Sequence, residues 1–176
     1  MNLIVAADEN WGIGREGRLL FQLSPDLKKF KARTLYGTVI MGRKTLESLP
    51  GGRPLKNRIN IVLSRTLTQP QAAPAEERVL ICRDLSELKS RLAALEQYPA
   101  DEDVWIIGGA EVYREMLPYC KLAYVTRVQA AAAADKFFPD LAQEPGWQLK
   151  ESGVPQQWEG VTFRFDIYEN SRVKEL

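Results

Sequence analysis

Residues 37–49 read GTVIMGRKTLESL, a short apolar segment between two glycines followed at once by a helix-like segment. A phosphate-binding loop has a similar glycine spacing, but here Lys44 and Thr45 come one residue too late. Such a loop also wraps its N–H groups around the anion, whereas TVIM is stiff and typical of a strand. We therefore predict a strand over 37–42. The basic residues that follow form either an anion site at the start of a helix or a solvated turn.

The same alternation of strand and helix continues in both directions. Further strands are predicted at 2–7, 58–65, 78–82, 103–109, 121–130, 147–154 and 161–170, and helices at 24–34, 43–49, 84–98 and 110–120. Ser24 is the expected cap of the first helix, with Pro25 at its first position. The pattern predicts an α/β fold: a central, mostly parallel sheet of about eight strands with an antiparallel C-terminal edge, flanked by about four helices.

Composition narrows the possible functions. The 176 residues suit a single domain over 1–176, and a net charge of +1 gives no reason to expect a nucleic-acid partner. No apolar run approaches the ~20 residues that span a bilayer, and the N-terminus lacks a basic secretory start. We expect two reduced thiols in a cytoplasmic protein. The absence of histidine removes the commonest zinc sites and His-based catalysis, so no metal is expected.

The segment WGIGREG, residues 11–17, has the G-x-G-x-x-G spacing of a dinucleotide-binding loop. In a Rossmann fold this loop opens a helix, and an acid about 20 residues later binds the ribose. Here the next helix is predicted to start only at Ser24, and the second strand ends in basic residues. We therefore reject the Rossmann interpretation.

Two other predicted strands also end in residues suited to phosphate. Gly108 and Gly109 precede a helix, so a ligand can approach backbone N–H groups there, although a plain turn has the same pattern. Ser64 and Arg65 add a hydroxyl and a guanidinium at the end of the strand over 58–65. Three such strand ends favour a nucleotide, and a basic cluster near a ribose favours NADP(H) over NAD(H).

The order and spacing of the segments resemble the dihydrofolate reductase family over nearly the whole chain. The segments are IVAADENWGIG (4–14), SPDLKKFK (24–31), VIMGRKTLESL (39–49), GRPLKNRINIVLS (52–64), VWIIGGAEVY (104–113), YVTRV (124–128) and DKFFPD (135–140). The resemblance implies NADPH-dependent reduction of 7,8-dihydrofolate to tetrahydrofolate, with hydride transfer to C6 and protonation at N5. It also implies a monomer.

Asp26 matches the family's active-site carboxylate, although an acid in the first turn of a helix is also common as a capping residue. Its two oxygens can accept hydrogen bonds from the pterin 2-amino group and N3–H, and burial should raise its pKa. The matching substrate-side residues are Ala6 and Ile107 through backbone carbonyls, the apolar walls Leu27, Phe30, Leu49 and Leu55, Thr126 as support of the acid, and Arg58 as the clamp on the glutamate α-carboxylate.

The resemblance also implies the cofactor side. It comprises Ala6, Ile13, Gly14 and Leu19 near the nicotinamide, Gly42, Arg43, Lys44 and Thr45 at phosphate, Ser64 and Arg65 at the adenosine end, and Ile107, Gly108, Gly109, Ala110, Val112 and Tyr113 in the pyrophosphate segment. The peptide between the paired glycines is cis in the family. WGIGREG is then a mobile loop that closes over nicotinamide and pterin, and Asp135 is the acid that pins it.

The sequence departs from the family at Leu20 and Phe21, where Pro-Trp is usual; both are kept as catalytic positions. The tryptophan N–H holds a water near the acid, and Phe21 has no such donor. Glu111 stands where a basic residue often meets the pyrophosphate, so it is not carried over. Two alternatives are a pyrimidine reductase of riboflavin synthesis and a non-catalytic folate- or NADPH-binding protein. The first need not carry Asp26 together with Arg58.

Overall fold

A computed structural model describes residues 1–67, 79–95 and 103–176. The strands are β1 (Asn2–Ala7), β2 (Gly12–Arg15), β3 (Arg18–Leu19), β4 (Thr38–Gly42), β5 (Ile59–Leu63), β6 (Val79–Cys82), β7 (Val104–Gly108), β8 (Leu122–Val128), β9 (Lys136–Phe137), β10 (Trp147–Ser152), β11 (Gln156–Trp158) and β12 (Val161–Asn170). The helices are α1 (Ser24–Thr34), α2 (Arg43–Ser48), α3 (Leu85–Ala93) and α4 (Ala110–Met116). None of the described helices is long and apolar enough to cross a membrane.

The main sheet has the strand order β10-β12-β8-β1-β7-β4-β5-β6, with β11 paired to β12. All neighbours from β8 to β6 are parallel, whereas β12 runs antiparallel to β8, β10 and β11. The predicted α/β fold, with its mostly parallel sheet and antiparallel C-terminal addition, is confirmed.

Helices cover both faces of this sheet because successive strand residues point to opposite sides. On one face, Leu3 of β1 belongs to a buried cluster that includes Leu88 of α3 and residues of α4. On the other face, Ile4 packs in a cluster with Leu46 of α2 and Phe30 of α1. The near-continuous apolar strands in the sequence reflect this burial from both sides.

Helix α1 begins where predicted, but not through the predicted cap. Ser24 is its first helical residue, and the extended Leu23 holds the cap position without a side-chain hydrogen bond. Leu23 is buried against Val128 and Phe163. Packing of Leu23 therefore fixes the point at which the chain turns into the helix, and the predicted cap by Ser24 is wrong.

The glycine segment forms a small sheet that the sequence pattern does not predict. Strand β2 pairs antiparallel with β3 and with β9, so WGIGREG forms the first strand and the turn of a hairpin that is held against a distant part of the chain. The alanine run 130–134 has no regular secondary structure, although alanine runs favour helices. The predicted helix over 84–98 is shorter, ending at Ala93, and the connection over 66–78 lies mostly outside the described residues.

Candidate active site

The residues assigned to the site meet at one edge of the sheet, because the carboxyl ends of parallel strands lie together. Gly42 ends β4, Gly108 ends β7 and Ser64 directly follows β5. Ala6, near the end of β1, lies opposite Thr126 of β8 in the parallel register. Residues separated by up to about 120 positions in sequence thus form one continuous edge.

Helix α1 carries Asp26 to this edge in its first turn. The carboxylate Oδ1 accepts a hydrogen bond from the Thr126 hydroxyl at 2.6 Å. Burial raises the pKa of Asp26 above its ordinary value, and the hydrogen bond from Thr126 opposes part of that rise. A larger share of this acid is therefore protonated near neutral pH than of an exposed aspartate.

The predicted apolar walls come together beside the acid. Phe30, Leu49, Leu55 and Ile107 are partly buried and pack against the same cluster. Leu27 is 45% exposed, so it can form only the outer margin of this wall.

Arg58 lies near the same wall, with its guanidinium carbon 6.0 Å from the centre of the Phe30 ring. Its Nε is buried and has no hydrogen-bond partner in the described structure. Burial lowers the pKa of Arg58. A buried guanidinium N–H without an acceptor suits an anionic ligand that supplies one.

On the other side of the edge, three glycines bring β4, β7 and α4 close together. A Cβ on Gly109 would lie 3.3 Å from Thr45 Oγ1, and one on Gly42 would lie 3.2 Å from Val112. Gly108 has a φ of 110°, and the Gly108–Gly109 peptide is cis, as the resemblance implied. The missing side chains let the two strand ends and α4 pack closely, and Gly42 and Gly109 remain partly accessible there.

Tyr113 packs against the glycine turn on its buried side. Its hydroxyl donates a 2.6 Å hydrogen bond to the Ile4 carbonyl, which joins α4 to β1. Its ring lies 3.0 Å from the position that a Cβ on Gly108 would occupy. Tyr113 is therefore buried behind the turn, whereas Ala110 is only partly buried at the start of α4.

The predicted phosphate residues lie on the neighbouring strand ends. Arg43 forms a 2.6 Å ion pair with Glu47 one turn later, and Lys44 and Arg65 are exposed. The Ser64 hydroxyl accepts the backbone N–H groups of the next turn. Because β4 separates β7 from β5, the glycine turn and the strand end at Ser64 and Arg65 are roughly 10 Å apart, a distance that an extended dinucleotide can bridge.

The hairpin of β2 and β3 carries the remaining predicted positions. Ile13 is buried, Gly14 pairs with Leu19, and the Leu20 N–H donates to the Ile13 carbonyl. Phe21, which follows the hairpin, packs against the cluster around Leu23. The structure thus holds Ile13, Gly14 and Leu20 in one hairpin, while Leu19 is 58% exposed.

Two aspartates anchor this hairpin. Asp135 accepts the Glu16 N–H at 2.9 Å, and its own N–H donates to the Gly14 carbonyl, so the role implied by the resemblance is confirmed. Asp8 was not among the predicted residues; it is fully buried and accepts the N–H groups of Gly12 at 2.7 Å and Ala132 at 3.1 Å. The only feature of the sequence that could have identified Asp8 was its position directly after β1.

One side of the sheet edge therefore holds a buried acid in an apolar cleft, and the other holds a glycine turn with basic residues. No group of three or more His, Cys, Asp or Glu residues in the described part of the chain could bind a metal ion. A single acid beside a nucleotide-sized surface is the arrangement of a cofactor-dependent α/β enzyme.

Comparison with known proteins identifies the family. The sequence model of the family "Dihydrofolate reductase" matches residues 1–170. The dihydrofolate reductase of Sus scrofa is 37% identical, covering 97% of this chain and 98% of that protein, and that of Drosophila melanogaster is 35% identical, covering 96% of each. A bifunctional dihydrofolate reductase-thymidylate synthase of Glycine max is 35% identical, and this chain spans 33% of its length. The chain belongs to the dihydrofolate reductase family. Like its family, it is an oxidoreductase that reduces dihydrofolate, and the family implies a nicotinamide cofactor.

Proposed function

We propose that this chain reduces 7,8-dihydrofolate to tetrahydrofolate with NADPH, by hydride transfer to C6 and protonation at N5. The observation that carries the proposal is the buried Asp26, held by Thr126 in an apolar cleft opposite the glycine turn. Asp26 is a titratable group in this cleft that a bound pterin can contact.

Asp26 orients the pterin and increases its tendency to take up a proton. Its carboxyl group accepts hydrogen bonds from the 2-amino group and N3–H of the substrate, a planar pair that matches two oxygens. Because its pKa is raised, Asp26 holds a proton to higher pH than an exposed aspartate does, which makes a proton more available to this region. Water delivers the proton to N5, because the carboxyl group is committed to the opposite edge of the pterin.

The apolar wall and Arg58 hold the rest of the substrate. Phe30, Leu49 and Leu55 contact the pterin and benzoyl rings and exclude water from them. Arg58 pairs with the α-carboxylate of the glutamate, and its buried, unpartnered Nε is the donor that this carboxylate satisfies.

The glycine turn and the basic strand ends fit the cofactor. When bound, NADPH supplies the hydride. The close approach permitted at Gly42, Gly108 and Gly109 suits the pyrophosphate, with Thr45 as a hydroxyl donor beside it. Arg43, Lys44, Ser64 and Arg65 provide the charge and hydroxyls that a 2′-phosphate requires, which favours NADPH over NADH.

The test is the loss of NADPH absorbance in the presence of dihydrofolate, measured for the parent chain and for Asp26→Asn. We expect turnover by the parent and a fall of at least about 100-fold at neutral pH in the variant, because general acid–base assistance contributes 10²–10⁴-fold. NADH should be a poorer hydride donor than NADPH. Absent turnover with NADPH still bound would leave a non-catalytic NADPH-binding protein.

We also infer that residues 1–176 form one domain that works as a monomer in the cytoplasm. The two cysteines support the reducing location, since both are free and buried. Burial raises the pKa of Cys82 to about 11 and that of Cys120 to about 12, so neither thiol is reactive at neutral pH. Sedimentation velocity at micromolar concentration tests the monomer.

A further inference from the structure

Asp26 also borders a second space. A cavity of about 250 Å³ lies between α1 and strands β8 and β12, and both Asp26 and Thr126 line it. These two are its only lining residues among those assigned to the substrate side; the others, Ala6, Leu27, Phe30, Leu49, Leu55, Arg58 and Ile107, do not line it. The acid therefore forms part of the wall between the substrate cleft and this rear cavity.

Two cations of α1 line the rear cavity. The Lys29 ammonium lies 3.6 Å from the centre of the Phe165 ring, and the Arg33 guanidinium lies 3.9 Å from that of Tyr124. Both long side chains thus extend across the cavity wall and are held there by ring contacts. Val154, at 78% exposure, also lines the cavity, so the cavity opens to solvent.

We propose that this rear cavity is a water-filled second route to Asp26, and that the side chain at position 29, on the cavity wall, sets how much room is left for water. The proposal rests on the function assigned to Asp26 above. A cavity of this size with polar groups on its wall holds several waters, since one water requires only about 10–15 Å³ of such volume. Dihydrofolate in the proposed complex covers the acid from the cleft side, whereas the rear side stays hydrated. Asp26 then exchanges its proton with solvent through the rear cavity while substrate is bound.

Charged and titratable groups from each element packed around the acid lie on or near the cavity wall. They are Lys29 and Arg33 of α1, Tyr124 of β8, Asp166 of β12 with its partner Arg164, Glu151 of β10, and Tyr113 of α4. Asp166 is already paired, with its Oδ2 2.9 Å from Arg164 Nε. Because Lys29 contributes both charge and bulk, the experiment must separate these two effects.

The experiment compares three variants. Lys29→Trp fills the cavity, Lys29→Met removes the charge but keeps an unbranched side chain, and Lys28→Trp places the same indole on an exposed neighbour that does not line the cavity. The pKa of Asp26 is read from its ¹³C-labelled carboxyl signal against pH in the free chain, with Asp26→Asn assigning the signal. We expect Lys29→Trp to raise that pKa by about one unit above Lys29→Met, because loss of hydration disfavours the charged form. Lys28→Trp should titrate like the parent.

The proposal is overturned if Lys29→Trp and Lys29→Met titrate alike. If Lys29→Trp does not fold, Val154→Trp narrows the exposed mouth instead and should raise the pKa in the same direction; an unchanged pKa there also overturns the proposal. The NMR titration of Asp26 does not require the chain to turn over substrate, so its result is independent of the proposed reductase activity. If the chain shows the pKa shift but does not reduce dihydrofolate, the rear route is supported and the proposed reductase function is rejected. In an active chain, the pH above which turnover declines should rise together with the pKa of Asp26.

Discussion

Thr126 and Asp26 are 100 residues apart in sequence, yet the threonine hydroxyl donates a 2.6 Å hydrogen bond to the carboxylate. Burial favours the protonated acid, and this hydrogen bond favours the ionised form. The pKa of the acid therefore depends on a balance that one side chain can shift without changing the fold.

Thr126→Val should raise the pKa of Asp26 further, because it removes the donor that stabilises the charge. In the proposed reaction the acid keeps a proton available to the region of the pterin, so kcat/KM falls as pH rises through this pKa. We expect the decline to move to higher pH by about one unit, since a hydrogen bond to a charged group contributes roughly 1.5–3 kcal/mol. Thr126→Ser keeps the hydroxyl and is the matched control. Identical pH profiles for the two variants would show that the hydroxyl does not control the acid.

Asp26→Asn should stabilise the fold at neutral and alkaline pH. The folded pKa is raised, so the folded state binds more protons than the unfolded state between the two pKa values, and stability falls as pH rises through that window. The asparagine carries no charge and its side-chain oxygen can still accept the Thr126 hydroxyl. We expect a gain on the order of 1 kcal/mol at pH 8 in urea denaturation, typical of relieving a strained functional site. The gain should disappear near pH 4; a gain independent of pH would contradict the assignment.

Arg58→Gln should raise the KM for dihydrofolate about 10- to 100-fold with little change in kcat, because the guanidinium binds a part of the substrate remote from the reacting ring. The control substrate is a dihydropterin without the glutamate tail, for which parent and variant should have the same KM. Arg53→Gln, at an exposed arginine nearby in sequence, is the control variant and should leave both constants unchanged. A loss of equal size on both substrates would place Arg58 outside the tail site.

Asp135→Ala should loosen the hairpin of β2 and β3. It removes the acceptor of the Glu16 N–H, so we expect the amide of that residue to exchange with deuterium about tenfold faster, equivalent to the ~1.4 kcal/mol of one hydrogen bond. Asp140→Ala removes a comparable exposed side-chain-to-backbone bond, to the Ala142 N–H, and is the control. Unchanged exchange at Glu16 would mean that the strand pairing alone holds the hairpin.

Local patterns predicted most of the sheet. The segment over 37–49 has stiff apolar residues between glycines and a helix directly after them, and these features depend only on neighbours in sequence. The strand ends that carry Gly42 and Gly108 followed from the same reasoning, because parallel strands place their carboxyl ends together.

Distant contacts explain what the sequence could not show. The hairpin at Gly12 depends on Asp8 and on a strand pairing with Phe137, more than 100 residues away. The start of α1 depends on Leu23 packing against Phe163 rather than on a local cap. The rear cavity is lined by Lys29 of α1 and Phe165 of β12, and their contact has no periodic signature in the sequence. The role of Asp26 was predicted from the family resemblance. Its position in the first turn of a helix was equally compatible with an acid that only caps the helix.

Strand β1 occupies the middle of the sheet, between β7 and β8, although it is made before either partner. On the ribosome, at about 5–20 residues per second, some 100 residues and roughly 5–20 s separate its emergence from that of β7. Until then its apolar residues have no place in the sheet and are exposed to chaperones and to other nascent chains. The central strand of the finished enzyme is therefore synthesised about 100 residues before the first strand that pairs with it.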